Sequence, residues 1–126
     1  MPQKQEEQKE TIRPPVIKPK NVTASYIAPL ENPKYELDLH IEKLVDNKKG
    51  LSNDEIIKIQ LDTFYRYLHL AIVHKQHKMF VIHGLGKGKL REEVHLILAQ
   101  TSEVERFTNE WHGSYGFGAT EIFFRY

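Results

Sequence analysis

The sequence predicts one α/β domain over residues 34–126, a two-layer sandwich of element order β-α-β-α-β-β with a small mixed sheet. Its predicted strands are segments that alternate apolar and polar residues or form short apolar runs. Two other segments carry apolar residues at steps of three and four, which is the period of an amphipathic helix. With 126 residues and 40% hydrophobic content, the chain can fill one core but not two ordinary ones.

Composition restricts the classes of function. The chain has no cysteine, which excludes disulfides and thiolate metal sites and leads us to expect a cytoplasmic protein. No apolar run approaches the roughly 20 residues that cross a bilayer, and the N-terminus lacks a signal peptide core, so no membrane partner is expected. The net charge of +1 is far from that of a nucleic-acid coat protein, so any phosphate binding must be local.

The N-terminal segment differs in composition from the rest. All 6 prolines lie within residues 1–33, together with one aromatic residue, Tyr26. Such a segment buries too little apolar surface to offset the entropy of ordering, so residues 1–33 are predicted to form a disordered Pro-rich linker or tail. The run PPVIKPK could bind a protein partner as an extended ligand, although its composition favours a spacer. A tail of this length also suggests attachment to the domains of a larger parent protein.

The body begins with the run YELDLHI, in which Leu37, Leu39 and Ile41 alternate with polar residues. This period predicts a strand, because successive side chains of a strand point to opposite faces. Asp38 and His40 are therefore predicted to share the polar face of the first strand.

Two helices flank a second predicted strand. The first helix begins at SNDE, where Ser52 and Glu55 have the spacing of a capping box, and it continues to about Lys75. Residues 79–82 are an apolar run that is typical of a strand covered on both faces. The second helix ends near Gln100. The apolar stripes of the two helices are predicted to pack on the sheet: Ile57, Leu61, Phe64, Leu68 and Ile72 in the first, and Leu90, Val94, Ile97 and Leu98 in the second.

Two further strands complete the predicted sheet. One is weakly indicated at residues 104–108, and the other is the aromatic-rich run ATEIFFRY, which follows the Gly-rich loop HGSYGFG. A strand, helix and strand in one sheet should form a right-handed parallel crossover, which brings the carboxyl ends of the first two strands to one edge. Open α/β sheets bind ligands outside that edge, so His40 and His83 are predicted to face one site.

The segment GLGKGK, directly after the second strand, has the character of an anion-binding loop. Its glycines allow positive φ and a close approach to a ligand, and the next helix begins with free N–H groups and a positive dipole end. Three cations surround that helix start: Lys87, Lys89 and Arg91. The glycine spacing fits neither the dinucleotide nor the Walker pattern, which disfavours nucleotide hydrolysis. The plainer alternative is a glycine turn between strand and helix.

Three motifs occur in order along the body: LDLH at residues 37–40, HGLGKGKLR at 83–91 and GFGAT at 116–120. Together they resemble the small MutS-related (Smr) domain, and the resemblance extends over essentially all of residues 34–126. It implies a fold similar to the C-terminal domain of bacterial translation initiation factor three. It also implies nucleic-acid binding, with an endonuclease activity that nicks DNA or cuts RNA.

By motif position, the resemblance implies a catalytic set and a phosphate-binding set. The candidate catalytic residues are Asp38, His40, His83 and Arg91. The candidate phosphate-binding residues are Gly84, Gly86, Lys87, Gly88, Lys89, Gly116 and Gly118. Asp38 would orient His40 as a general base, and His83 would protonate the leaving oxygen. Arg91 and the loop amides would hold the phosphate.

The kind of nucleic acid and the need for a cofactor stay open. In RNA the two histidines can activate the 2′-hydroxyl without a metal, whereas in DNA Asp38 and a histidine could ligate a divalent metal ion that activates water. A metal site formed by His69, His74 and His77 is disfavoured, because at about 100° per residue His69 points away from His74. Two aromatic residues beside the second Gly-rich loop could stack on a base or simply pack: Trp111 and Tyr115.

One departure from the motif bears on catalysis. Ile41 follows His40 where the Smr family usually has glycine, so its side chain either is buried on the apolar face of the strand or narrows the site. Together with the low net charge, this residue supports an alternative function, a non-catalytic nucleic-acid or ribosome-associated binding module. A third hypothesis is a protein-interaction domain in which the tail recruits a partner.

Overall fold

The computed structural model describes residues 31–126, so the tail predicted for residues 1–33 lies outside the described residues, apart from residues 31–33. The predicted domain boundary at residue 34 stays a prediction. The described elements, in chain order, are β1 (Glu36–Asp38), α1 (Ile41–Leu44), α2 (Asn53–Val73), β2 (Lys78–Ile82), α3 (Lys89–Ala99), β3 (Val104–Thr108) and β4 (Ala119–Phe124).

The strands form one four-stranded sheet in the order β1-β2-β4-β3. β1 is parallel to β2, with Asp38 opposite Ile82, whereas β4 runs antiparallel to both β2 and β3. The predicted α/β class, the mixed sheet, the parallel first pair and the strand at residues 104–108 are therefore confirmed. The carboxyl ends of β1 and β2 lie side by side, as the crossover argument requires.

The ends of α2 follow from local side-chain and backbone chemistry. The Oγ of Ser52 accepts a hydrogen bond from the Glu55 N–H at 3.1 Å, and the Glu55 carboxylate accepts one from the Ser52 N–H at 2.8 Å. This is the predicted capping box, which satisfies N–H groups that the helix leaves unpaired. The helix ends at Val73, two residues before the predicted end, and Lys75 takes a left-handed φ of 57°.

The core lies between the helices and one face of the sheet. Phe64 and Leu68 of α2 are buried against Val81 and Ile122 of the two central strands. The other residues of the predicted α2 stripe are partly buried and pack against this core: Ile57, Leu61 and Ile72. α3 contributes Leu90, Val94 and Leu98, as predicted, with Ile97 partly buried beside them. No helix within residues 31–126 has both the length and the apolar character needed to cross a membrane.

The opposite face of β2 is more open than the prediction of two covered faces. Met79 and Val81 are buried on the helical side, but Phe80 is half-buried and Lys78 is exposed on the other side. There a loop, residues 109–118, takes the place of a helix and places His112 against the Phe80 ring, with centroids 4.9 Å apart. The apolar run alone could not show whether a helix or a loop covers the second face of the strand.

The first strand is shorter than predicted, which corrects the assignment of Asp38 and His40 to one strand face. β1 ends at Asp38, and His40 is the N-cap of the short helix α1. The Asp38 Oδ1 accepts a hydrogen bond from the His40 N–H at 2.9 Å, so a local turn replaces the next ladder position. Ile41 is only 6% exposed and begins α1 with its side chain buried, so it does not narrow the site.

A buried amide holds the chain between β1 and α1. Gln60 of α2 is 8% exposed, and its Nε2 donates to the carbonyl oxygen of Leu39 at 2.9 Å. Leu39 in turn donates its N–H to the Ile82 carbonyl at 2.8 Å. The residue between Asp38 and His40 is therefore fixed from both sides by buried hydrogen bonds.

Replacement Gln60→Leu is expected to lower the free energy of unfolding by about 1–3 kcal/mol, because the buried Leu39 carbonyl loses its donor. Urea unfolding followed by circular dichroism measures the change. The matched control is Asp62→Ala on the same helix, which removes an exposed ion pair with Lys58 and should cost at most about 0.5 kcal/mol. Equal losses in the two variants would contradict the structural role of Gln60.

Candidate active site

The residues predicted to face one site meet at the carboxyl ends of β1 and β2. His40 follows β1, and His83 and Gly84 follow β2. A Cβ atom placed on Gly84 would lie 3.1 Å from the His40 Nε2, so the imidazole ring lies directly against the glycine loop. The backbone topology thus brings together the first two motifs, which are distant in sequence.

Asp38 and His40 form a hydrogen-bonded pair on the solvent side of this edge. The Asp38 Oδ1 lies 2.7 Å from the His40 Nδ1, and their side chains are 31% and 47% exposed. Because a carboxylate only accepts hydrogen bonds, Nδ1 carries the proton, and the lone pair of a neutral ring is on Nε2. The pair therefore directs a basic nitrogen toward the glycine loop.

Gly84 lies where three segments converge. It has a φ of +84°, and its N–H and that of His83 both donate to the Gly118 carbonyl oxygen at 2.9 Å. A Cβ on Gly118 would lie 3.2 Å from the Gly84 carbonyl carbon, so neither position has room for a side chain. Gly118 is buried and acts through this packing, beneath the loop that was predicted to hold phosphate.

A chain of side-chain hydrogen bonds lies beneath Gly84, and we call it the polar chain. The Thr120 Oγ1 lies 2.8 Å from the Nε2 atoms of both His83 and His95, and the His83 Nδ1 lies 3.0 Å from the Gly84 carbonyl oxygen. The carbonyl fixes the proton on the His83 Nδ1, so Thr120 donates to the His83 Nε2 and accepts from His95. The Thr120 hydroxyl and both ring nitrogens of His83 then have partners.

The two histidines of the polar chain are held neutral. Burial lowers the pKa of His83, and the nearby His95, Arg91 and His40 lower it further, while the hydrogen bond to the Gly84 carbonyl opposes them. Burial also lowers the pKa of His95, with a smaller contribution from the Arg91 charge. His83 is 6% exposed with both ring nitrogens occupied, which favours a positioning role over the predicted role of proton donor.

The start of α3 forms the other side of the site. Gly88 is its N-cap at a φ of +87°, and a Cβ there would lie 3.1 Å from the Nη2 of Arg91. Lys87 makes no ion pair with any residue from 31 to 126, whereas the Nζ of Lys89 lies 2.9 Å from the Glu93 carboxylate. That hydrogen bond raises the pKa of Lys89. Arg91 and Lys87 are therefore better placed than Lys89 to meet a phosphate.

The second glycine loop borders the site with aromatic side chains. Gly116 has a φ of +58° and lies under Trp111, whose ring would be 3.1 Å from an added Cβ. Trp111 is 69% exposed and contacts Phe117 edge to face, with centroids 5.4 Å apart. Gly116 is therefore explained by packing within its own loop. Gly86, at the tip of the first loop, has nothing within 4 Å of an added Cβ, which leaves it open to a ligand.

Two members of the polar chain were not assigned roles from the sequence. Thr120 belongs to the third motif, but its two histidine partners depend on the fold. His95 lies four residues after Arg91 on α3, a spacing that places both on one helix face, so this spacing could have indicated it.

The described residues form no cluster of three side chains for a divalent ion. Within residues 31–126, no group of three or more histidine, aspartate or glutamate side chains is arranged to hold a metal. His69, His74 and His77 do not form such a group either. Asp38 is hydrogen bonded to His40, and both nitrogens of His83 are occupied. No step through a metal follows from this geometry.

Replacement Thr120→Val is expected to lower the free energy of unfolding by about 1–3 kcal/mol, because it leaves the Nε2 atoms of His83 and His95 without partners. Thr120→Ser keeps the hydroxyl and is the matched control, so it should retain most of the stability. Chemical unfolding measures both variants. A valine variant as stable as the serine variant would contradict the polar chain.

Stability should also depend on pH through the same histidines. Because the pKa of His83 and His95 is lowered from 6.5 in the folded protein, the unfolded chain binds protons more readily. The free energy of unfolding is thus highest above pH 6.5 and falls as the pH drops from there toward the folded pKa values. Unfolding titrations across this range should show the fall, and His83→Asn should flatten it. An equally steep profile in the variant would refute this assignment.

Comparison with known proteins agrees with the fold and the loops. The family model described as the Smr domain matches residues 50–125, which include the second and third motifs but begin after Asp38 and His40. Among solved structures, the Smr domain of Thermus thermophilus MutS2 is similar, with a TM-score of 0.55 and 25% sequence identity over 72% of this chain and 98% of that chain. No curated protein matches. Because the family model covers more than half of the chain and the fold agrees with it, the chain belongs to the Smr domain family.

Proposed function

We propose that this domain binds RNA and cleaves its phosphodiester backbone, with His40 as the general base. The carrying observation is the Asp38–His40 pair, whose 2.7 Å hydrogen bond leaves the Nε2 of His40 facing the Gly84 loop. Membership of the Smr family, which is nucleic-acid-binding and nuclease-related, supports the same class of function.

The first step is proton transfer from the substrate. Asp38 keeps the proton on the Nδ1 of His40, so the Nε2 lone pair can take the proton of a 2′-hydroxyl. The 2′ oxygen then forms a bond to the adjacent phosphorus as the bond from phosphorus to the 5′ oxygen breaks. The products are a 2′,3′-cyclic phosphate and a 5′ oxygen that takes a proton from solvent. The Asp38 carboxylate stabilises the imidazolium ion that His40 becomes.

The charge on the phosphoryl oxygens is stabilised from the α3 side. The start of α3 has no side-chain cap, so it supplies N–H groups without an intrahelical partner together with the positive end of the helix dipole. Arg91 and Lys87 add positive charge beside these groups. Preorganised donors of this kind are commonly the largest contribution to catalysis of such a transfer.

RNA is preferred over DNA because it carries its own nucleophile. Cleavage of DNA requires an activated water, which commonly needs a metal, and residues 31–126 offer no three-ligand group for one. Ile41 is no obstacle, since it is buried with an ordinary negative φ on α1. His83 is buried, and its one ring proton is held by the Gly84 carbonyl, so we assign it to positioning the Gly84 loop through the polar chain.

Replacement His40→Ala is expected to reduce the rate of RNA cleavage by about 10²–10⁴-fold, the usual contribution of a general base. Asp38→Asn should also reduce it, because the ring loses its orienting carboxylate. The measurement is cleavage of labelled single-stranded RNA and DNA by highly purified protein, with a chelator and with added Mg²⁺.

The matched control is His69→Ala, which removes an exposed histidine from α2 and should cut RNA like the wild type. Equal cleavage by the wild type and His40→Ala would reveal a contaminating nuclease and refute the proposal. Binding of RNA without any turnover would instead support a non-catalytic binding module. Cleavage of DNA alone, and only with Mg²⁺, would overturn the metal-free mechanism.

A further inference from the structure

A cavity opens on the sheet face that carries no helix, and the chemistry proposed above does not use it. Its volume is about 420 Å³, and we call it the sheet-face cavity. Its walls combine aromatic rings with carboxylates, and the lining residues used below are Tyr35, Glu36, Phe80, His112, Tyr115 and Glu121.

The aromatic wall is held together by ring contacts between β2 and the loop of residues 109–118. Phe80 contacts His112 and Tyr115, with centroids 4.9 and 6.1 Å apart. The rings of His112 and Tyr115 stack at 5.3 Å and 29°. Tyr35, which also lines the cavity, is 64% exposed. Proteins that bind unpaired bases commonly stack them on exposed aromatic rings of this kind.

The charges of the cavity suit a base better than a phosphate. Glu36 accepts a hydrogen bond from the Tyr115 hydroxyl at 3.3 Å, and the Glu121 carboxylate lies 3.3 Å from the Nζ of Lys78. Carboxylates repel the phosphate backbone but accept hydrogen bonds from the N–H groups of a base edge. The occupant should therefore present donors and a flat ring.

The first strand connects the cavity to the Asp38–His40 pair. Glu36 and Asp38 alternate with buried Leu37 on β1, so both face the open side, about 7 Å apart along the strand. The Tyr115 hydroxyl donates to Glu36 at 3.3 Å, and burial followed by the nearby charges of Glu36 and Asp38 raises the pKa of this tyrosine. One strand of nucleic acid can thus reach both places.

We propose that the sheet-face cavity is a base-recognition subsite that holds one unpaired guanine of an RNA strand bound at the Asp38–His40 site. The inference rests on the proposed RNA binding and adds a sequence preference to it. Guanine is singled out because its N1–H and N2–H₂ donors lie side by side and match the two oxygens of a carboxylate such as Glu36. The other bases lack this adjacent pair of donors.

The test uses fluorescein-labelled 2′-O-methyl heptamers, which cannot be cut, and measures binding to the wild-type chain by anisotropy. A uridine heptamer with one central guanosine is expected to bind about tenfold more tightly than uridine alone, as one stacked and paired base contributes. Glu36→Gln should abolish the preference, because its amide places a donor against the base donors. Tyr35→Ala should weaken the binding of the guanosine heptamer about tenfold.

The matched controls are Glu105→Gln and Tyr126→Ala, exposed residues that do not line the cavity, and both should keep the preference. Equal affinity for all heptamers, or a preference for central adenosine or cytidine, would overturn the subsite. A guanosine preference without cleavage of ordinary RNA supports the subsite and rejects the proposed catalysis. Cleavage of RNA without a guanosine preference supports the proposed catalysis and rejects the subsite.

Discussion

The close approach of Gly84 to Gly118 is the contact on which the site depends. The Gly118 carbonyl accepts two successive N–H groups, and the backbones are so near that a Cβ on Gly118 would lie 3.2 Å from the Gly84 carbonyl carbon. This contact joins the loop after β2 to the start of β4. It aligns Thr120 beneath His83, and it leaves Gly84 with a bare surface on which the His40 ring lies. Side chains at these two glycines would separate the loops and move both histidines.

Burial gives the two motif histidines different properties. His83 is buried, and both desolvation and neighbouring positive charge lower its pKa. Its contribution is therefore to hold the loop in place. His40 is about half exposed and hydrogen bonded to one carboxylate, which leaves its Nε2 accessible for the proposed role of general base. A fully satisfied polar network rigidifies its surroundings, whereas an incomplete one is costly. In the proposed mechanism, the polar chain therefore supports the Asp38–His40 pair without taking part in proton transfer.

Much of this arrangement could be predicted from sequence because it follows from periodicity and topology. The α2 capping box, the apolar helix faces and the parallel pairing of β1 with β2 required no distant side-chain contact. The end of β1 was misplaced because Asp38 bonds the His40 N–H locally, and such side-chain competition with the ladder leaves no periodic signal. His95 was missed because its partner, Thr120, is brought to it only by the fold. The aromatic cover of Phe80 was missed for the same reason.

Although the net charge is only +1, the charges are unevenly distributed, and this distribution would orient the proposed RNA strand on the domain. Arg91, Lys87 and the α3 dipole concentrate positive potential on one side of His40, whereas on the open sheet face Lys78 offsets the charge of Glu121 and Glu36 makes no ion pair with another residue from 31 to 126. A strand placed with its phosphates toward α3 has its bases toward Glu36, and the reversed placement brings a phosphate against that carboxylate. With so few cations at the phosphate side, counterion release contributes little affinity. Recognition by this domain should then come mainly from base contacts, which is the balance expected of a site that selects where a flexible strand is cut.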